Sequence, residues 1–366
     1  MNSDVTTVIV VATALAFDFT NGFHDTANVI ATSISTRAMG PRVAVGYAAV
    51  LNFVGAFISL KVAATVAQDV VKTDMVTPLM MFGGLVGAIA WNLITWFFGL
   101  PSSSSHALIG GMVGAVFAAN GPDAILGEGL VGKVVIPAIV APTLAFVVGG
   151  AAILIVYRIV GALRPGPAAR GFRFGQVVSG GLLALAHGTN DAQKTMGIIV
   201  LALVANGNLP PDSDVPTWVI VSAATAIALG TYVGGWRIIR TMGSRIMKMD
   251  PAQGFSAQGA GAAVILSASH VGFPLSTTHV ISGAIMGSGA AKRLSAVRWG
   301  VAGNIVTAWV LTLPASAAVG AATYGLTRVF GTGAAGPVVV SVALLVLLVW
   351  ALARRVTHGR TLTAEA

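Results

Sequence analysis

The stretch PSSSSH at Pro101–His106 sets four consecutive hydroxyls and a histidine inside a segment otherwise apolar enough for a membrane. PLSTTH at Pro274–His279 repeats the phrase 173 residues later. Each runs into an apolar, glycine-rich continuation, ALIGGMVGA in the first case and VISGAIMG in the second. A polar bend at mid-membrane depth is tolerated only where it is buried in protein or lines a cavity. Two nearly identical bends therefore point to a duplicated device.

The surrounding composition is that of a membrane protein. Of the 366 residues, 55% are hydrophobic and 9% are charged, against roughly 25% charged in an ordinary soluble domain. Val43–Thr65, Val134–Tyr157, Trp218–Gly235, Val301–Ala318 and Val338–Ala353 read as spans. The net charge of +9 does not indicate nucleic acid, because the bases fall in short clusters between the apolar runs. Cysteine is absent, which excludes disulfides. MNSDVTTVIVVATALAF at the N-terminus has no basic leader and reads as the first span, not a removable signal.

The bases also orient the chain. One set of alternate loops holds Arg37 and Arg42; Arg158, Arg164, Arg170 and Arg173; Arg237, Arg240, Arg245 and Lys248; Lys292, Arg293 and Arg298; and Arg354, Arg355 and Arg360. The other set holds only Lys61, Lys72, Lys133 and Arg328, while Lys194 lies within a span. The bias places the first set in the cytoplasm, the N-terminus outside and the C-terminus inside, in a multi-pass protein of the cell membrane. Acids carry little weight here, though Asp69 and Asp212 are among those on the outer side.

The two bends then enter from opposite faces. A second pair of phrases, NGFHDTAN at Asn21–Asn28 and HGTNDAQK at His187–Lys194, lies in spans of opposite direction, with Asp25 and Asp191 166 residues apart. The expected architecture is an all-α polytopic membrane protein with an inverted-topology repeat and two opposed helical hairpins broken near the midplane, as in many secondary transporters. The first repeat covers 1–157, with spans near 5–35, 43–66 and 133–157 and a hairpin at 79–119. A cytoplasmic linker follows at 158–175. The second repeat covers 176–325, with spans near 176–205, 217–238 and 298–323 and a hairpin at 256–291. An extra span occupies 335–353.

Asp18, Asn21, Asp25, Asn28 and Thr32 are spaced 3, 4, 3 and 4 apart, on one face of a helix. Its counterpart carries His187, Asp191 and Lys194, with Asn190 adjacent. A charge near the bilayer centre costs at least ~2.5 kcal/mol, so acids, a lysine and histidines in matched places need a purpose beyond gluing helices together. At each bend a helix starts, and its first backbone N–H groups and dipole make an anion site. Ser103, Ser104 and Ser105, with Ser276, Thr277 and Thr278, add donors without fixed charge. Capping requires one hydroxyl per helix, and three are present at each bend. His106 and His279 follow, each placed either to donate to the ligand or to fix the bend.

Together NGFHDTANVIAT, AHGTNDAQK, PSSSSH and PLSTTH resemble the inorganic phosphate transporter family, most nearly its bacterial low-affinity members. The resemblance covers both halves. It implies uptake of phosphate, often as a neutral complex with a divalent metal, driven by a cation gradient, and it makes a homodimer an expectation. Sodium-coupled relatives place Asn-Asp with a second Asn three residues on in both halves as cation ligands. His24 stands where the first Asn belongs, and Lys194 where the later Asn of the second half belongs. An ammonium has no acceptor, so Lys194 cannot ligate sodium, and its charge one turn from Asp191 replaces a bound cation there. The Asp25 site keeps Asn28, and His24 suits proton carriage near neutral pH.

The expectation is thus phosphate between the two bends, cation coupling through Asp25, His24, Asn28, Asn21, Asn190, Asp191 and Lys194, and a cotransported proton with no resident cofactor or fixed metal. Sodium coupling and a sulfate permease of the same family stand as alternatives, since hydroxyls and helix ends alone do not separate the two anions. An intramembrane serine hydrolase using Ser105 or Thr278 with a neighbouring histidine is disfavoured. Two opposed copies serve alternating access better than one catalytic geometry. Gly83/Gly87 and Gly110/Gly114 have the small-xxx-small spacing of close helix packing.

Overall fold

The computed structural model describes residues 2–62, 70–160, 165–211 and 213–346. Asp69, Arg164, Asp212, Arg354, Arg355, Arg360, residues 63–66 of the second expected span and 347–353 of the last one lie outside them.

The first half contains α1 (Asn2–Ser35), α2 (Pro41–Gly55), α3 (Pro78–Phe98), α4 (Ser104–Asn120) and α5 (Ile136–Val160), the last continuous with a helical lead-in that makes Gly127–Val160 one span. The second consists of α6 (Pro165–Ala205), α7 (Thr217–Val233), the short α8 (Trp236–Arg240), α9 (Pro251–His270), α10 (Thr277–Lys292) and α11 (Trp299–Arg328). A shorter apolar helix, α12, covers Ala335–Val346. Among the described residues the one isolated β-bridge joins Val71 to Ile125.

Among the described residues four helices are long and apolar enough to cross a membrane, or five when Thr217–Val233 and Trp236–Arg245 form one span bent by 59°. That bend falls at Gly234, whose φ of 76° favours glycine, so the span expected at 217–238 is broken inside its last turn. α6 is not among the four, because HGTNDAQKT dilutes its apolar character, and that polar stretch is turned inward. Two other boundaries differ from the expectation. Helix α2 ends at Gly55 although apolar residues continue past it, so hydropathy gave no stop signal. The stretch 165–175, expected as linker, is the first part of α6. Pro165 and Pro167 sit in its first turn, where a missing N–H costs nothing. Arg173 Nε then donates to Thr36 O (3.1 Å), a cation at the C-terminal end of α1.

The halves are interleaved. α1 packs on α7, and its counterpart α6 packs on α2; the hairpin α3–α4 packs on α11, and α9–α10 packs on α5. Glycines set these contacts in repeat-related pairs. A Cβ on Gly22 would lie 2.3 Å from Ile227 O, and one on Gly188 2.1 Å from Asn52 O. On the hairpins, Gly114 and Gly287 would each meet a carbonyl at 2.0 Å, of Ala317 and Phe146 respectively. Backbones this close leave no room for a side chain.

Two apolar cores flank a polar layer. One holds Val10, Ala14 and Phe17 of α1 with Met196, Ile199 and Ala202 of α6; the other holds Ala27, Ile30 and Ala31 of α1 with Leu183, Ala184 and Ala186 of α6. The order is reversed between the two helices, so they run antiparallel and their polar residues 18–28 and 187–195 meet between the cores. Lipid-facing apolar side chains such as Val140, Val147, Ile155, Leu229 and Val310 remain exposed, as a membrane exterior requires.

Candidate functional site

Helices α1 and α6 bring Asp25 and Asp191 to the bends of both hairpins. Thr277 Oγ1 lies 3.1 Å from Asp191 Oδ2 and 3.4 Å from Asp25 Oδ2, and Thr278 Oγ1 lies 3.4 Å from Asp25 Oδ1. Asn28 Nδ2 donates to Thr278 Oγ1 (2.9 Å) and reaches Thr277 Oγ1 at 3.4 Å. The second bend is therefore seated on both acidic motifs at once.

Lys194 ties the first bend to the second. Its ammonium is paired with Asp191 Oδ1 and donates to Ser105 Oγ (2.5 Å) and Leu275 O (3.0 Å). The side chain is 2% exposed, so three acceptors replace the three hydrogen bonds of a hydrated ammonium. His187 Nε2 lies 3.0 Å from Asp191 Oδ2, and its Nδ1 faces Asn52 Oδ1 at 3.2 Å. Asp25, His187 and Asp191 bring one ligand atom each to within 4.8 Å of one another. Lys194 already supplies a positive charge to that group.

His24 works at the other end of the layer. Its Nδ1 is 2.6 Å from Asp25 Oδ1, and its Nε2 is 3.0 Å from Thr95 Oγ1 and 3.4 Å from Ser102 Oγ. Nδ1 faces a carboxylate oxygen that accepts. The Thr95 and Ser102 hydroxyls at Nε2 can accept from an imidazolium or donate to a neutral ring protonated on Nδ1, so both contacts are available in either state. The repeat-related Asn190 makes the matching reach, donating to Ser269 Oγ (3.0 Å) near the end of α9. In each half, the residue before the aspartate is thus anchored to the first helix of a hairpin.

The hydroxyl runs divide their labour. Ser103 and Ser276 are N-caps, accepting from the backbone N–H of His106 (3.1 Å) and His279 (3.3 Å). Capping thus takes one hydroxyl per bend. Ser105, Thr277 and Thr278 face the acidic layer, and Ser104 Oγ is buried with no hydrogen-bond partner. His106 and His279 point elsewhere. Their rings lie edge to face 4.8 Å apart, His279 stacks on Trp309 at 4.1 Å, and both line a cavity of about 590 Å³ walled by Ala138, Pro142, Phe146 and Leu313. One residue beyond the threonines, a helix has turned about 100° away from the site. The histidines fasten the hairpins to each other instead of joining the Asp25–Asp191 layer.

Thr95, Ser269, the Leu275 carbonyl and Asn52 are site neighbours that the sequence did not single out, and Ser102 belongs to the hydroxyl run without a role assigned to it there. Of the first four, Asn52 carried a signal, an amide inside an apolar run.

An inverted repeat with opposed hairpin bends meeting at buried charges is the architecture of many membrane transporters. More narrowly, the chain belongs to the phosphate transporter family, whose sequence profile matches residues 21–166 and 162–320. It is a phosphate transporter, not an enzyme. Relatives named "Probable low-affinity inorganic phosphate transporter" include one from Mycobacterium tuberculosis (strain ATCC 25618 / H37Rv), 54% identical over 88% of this chain and 78% of its own. Another, from Bacillus subtilis (strain 168), is 47% identical over 87% of this chain and 96% of its own. A solved structure titled "The sodium-dependent phosphate transporter" superposes with a TM-score of 0.78 at 24% identity, covering 88% of this chain and 99% of that one. At that identity the likeness speaks for the fold.

Proposed function

We propose that the protein imports inorganic phosphate across the cell membrane by proton symport, with its N-terminus outside and its C-terminus in the cytoplasm. The observation that carries this reading is Lys194. At the position repeat-related to Asn28, an ammonium paired with Asp191 does the work of a bound cation. That leaves Asp25 and His24 as the pair through which the proton is coupled, joined at 2.6 Å and continued through Thr95 and Ser102.

Phosphate binds between the bends, taking donors from Ser104, Ser105, Thr277 and Thr278 and from the first-turn N–H groups of α4 and α10. Its charge is offset by Lys194, the helix dipoles and the transported proton, or by a divalent metal carried on the phosphate as part of the cargo. Hydrogen phosphate carries a donor that Asp25 or Asp191 accepts, and sulfate does not, which sets the anion preference. Basic loops share one end of the molecule, where Arg173 meets Thr36 and Arg298 meets Ser244 and Arg245, in keeping with the orientation.

The test is radiolabelled phosphate uptake into proteoliposomes under an inward pH gradient, with and without sodium and with sulfate as competitor. The expected result is uptake that follows the pH gradient, ignores sodium, resists sulfate and is lost in Asp25→Asn. Uptake that needs sodium and ignores a protonophore overturns the coupling. That second reading has its own support, because Asp25 and Asn28 both still reach Thr278. A homodimer belongs to the same proposal and is checked by the mass of the detergent-solubilised protein.

A further inference from the structure

Asp18 stands on α1 one turn before Asn21 and two turns before Asp25, on the same helix face, and it is 0% exposed. Neither of its carboxyl oxygens has a hydrogen-bond partner. Asn21 and Thr195 are the polar side chains within reach of its carboxyl, and Asn21 Oδ1 and Thr195 Oγ1 are likewise buried with no hydrogen-bond partner. Four orphan polar atoms thus share one enclosed spot against the apolar core of Ala14, Phe17 and Met196. A buried carboxylate without a donor or a counter-ion is among the most costly arrangements in a protein.

The repeat sharpens the point. Shifted by 166 residues, Asn21 falls on His187, His24 on Asn190, Asp25 on Asp191 and Asn28 on Lys194, whereas Asp18 falls on Ala184. Two positions break the charge symmetry, Asp18 with an extra acid and Lys194 with an extra base. Asp191 and Lys194 of α6 are the charged groups that act on Asp18, and His187 lies one turn along from Asp191. On its own helix are His24 and Asp25. Helix α3 has no titratable residue, and the one on α7, Tyr232, is exposed. His106 of α4 and His279 of α10 are packed on each other. Arg42 of α2, Arg237 and Arg240 of α8 and Arg245 beyond it belong to the basic end of the molecule, past the C-terminal half of α1. Here Lys194 is engaged by Asp191, Ser105 and Leu275, so Asp18 is left without its complement.

We propose that Asp18 is a proton-carrying site of the transport cycle, neutral in this closed arrangement, with Lys194 as the counter-ion that receives it when the proton leaves. In that step the Asp18 O–H bond breaks and the proton passes to water in the opened path. The new carboxylate draws the Lys194 ammonium away from Ser105 and Asp191. Because Ser105 belongs to the first bend, loss of the proton loosens the phosphate site, which ties the two releases together. This inference rests on the proton-symport reading.

The experiment compares the parent, Asp18→Asn and Asp18→Glu in proteoliposomes by two assays: phosphate accumulation under an inward pH gradient, and phosphate counterflow at equal pH. A pH unit is worth about tenfold in accumulation for each coupled proton. Asp18→Asn is expected to lose that proton-driven accumulation while still exchanging phosphate, and Asp18→Glu to recover it. Infrared difference spectra between acid and alkaline pH should show a carboxylic-acid C=O band in the parent that is absent from Asp18→Asn and present in Asp25→Asn. Accumulation in Asp18→Asn equal to the parent overturns the role of Asp18 and leaves proton symport standing. Loss of counterflow together with accumulation overturns it as well, since Asp18 would then be needed for binding or folding. A parent indifferent to the pH gradient overturns the symport reading itself and this inference with it. Should Asp18→Asn fail to fold, Asp18→Glu carries the test: the band must shift, and an unshifted band refutes the assignment.

Discussion

Replacing Lys194 by asparagine would restore the symmetry of the repeat and remove the built-in cation in one step. Lys194 Nζ serves Asp191, Ser105 and the Leu275 carbonyl, and Asp191 is 1% exposed. Taking one partner from a buried ion pair costs about 3–5 kcal/mol, because the remaining charge stays buried and unpaired. Asn carries two donors on a shorter chain and cannot supply a charge. The expected result is a lower unfolding midpoint in detergent and loss of sodium-independent uptake. Sodium should then act as a stabilising ligand, since a ligand at one hundred times its Kd adds about 2.7 kcal/mol. Asp191→Asn in the same background removes the orphan charge, so the double variant should be more stable than Lys194→Asn alone, a coupling of contacting residues. A Lys194→Asn protein with the parent's midpoint, unmoved by sodium, would refute the claim that the ammonium substitutes for a cation.

The remaining tests are simpler. Gly287→Ala places a methyl against the Phe146 carbonyl and should destabilise by about 1–3 kcal/mol or abolish folding, read from the unfolding midpoint. Ser276→Ala removes an N-cap and should cost about 1 kcal/mol of stability with little change in phosphate Kd, whereas Thr278→Ala strands the buried Asn28 amide, so it should cost about 1–3 kcal/mol and also weaken phosphate binding; calorimetry and thermal scans separate the two. His24→Gln keeps hydrogen bonding but cannot gain a second proton, so phosphate accumulation driven by an inward pH gradient should fall while exchange at equal pH persists, measured as labelled phosphate in proteoliposomes.

Several elements were legible without coordinates for a physical reason. Polar residues in an apolar run are costly, so their spacing betrays the face they occupy, and Asp25, Asn28, Asp191 and Lys194 were found this way. The repeated bends marked where helices break, and α3, α4, α9 and α10 start or stop within a few residues of the expected places. The start of α6 was missed because prolines read as linker from composition and as a first helical turn only in context. The end of α2 was missed because its apolar character outruns its helix.

Sequence by itself determined a helical membrane protein with two inverted halves, two broken hairpins and the residues that gather at the centre, because burial of charge and the length of a span are one-dimensional constraints. Tertiary structure alone decided which hydroxyls cap and which face the acids, that His106 and His279 pair with each other, and that each half closes against the other's helices. It also left Asp18 without a partner. Those outcomes depend on the rotation of each helix about its axis and on which backbones approach within a glycine's reach. Neither is written in the spacing of residues along one chain.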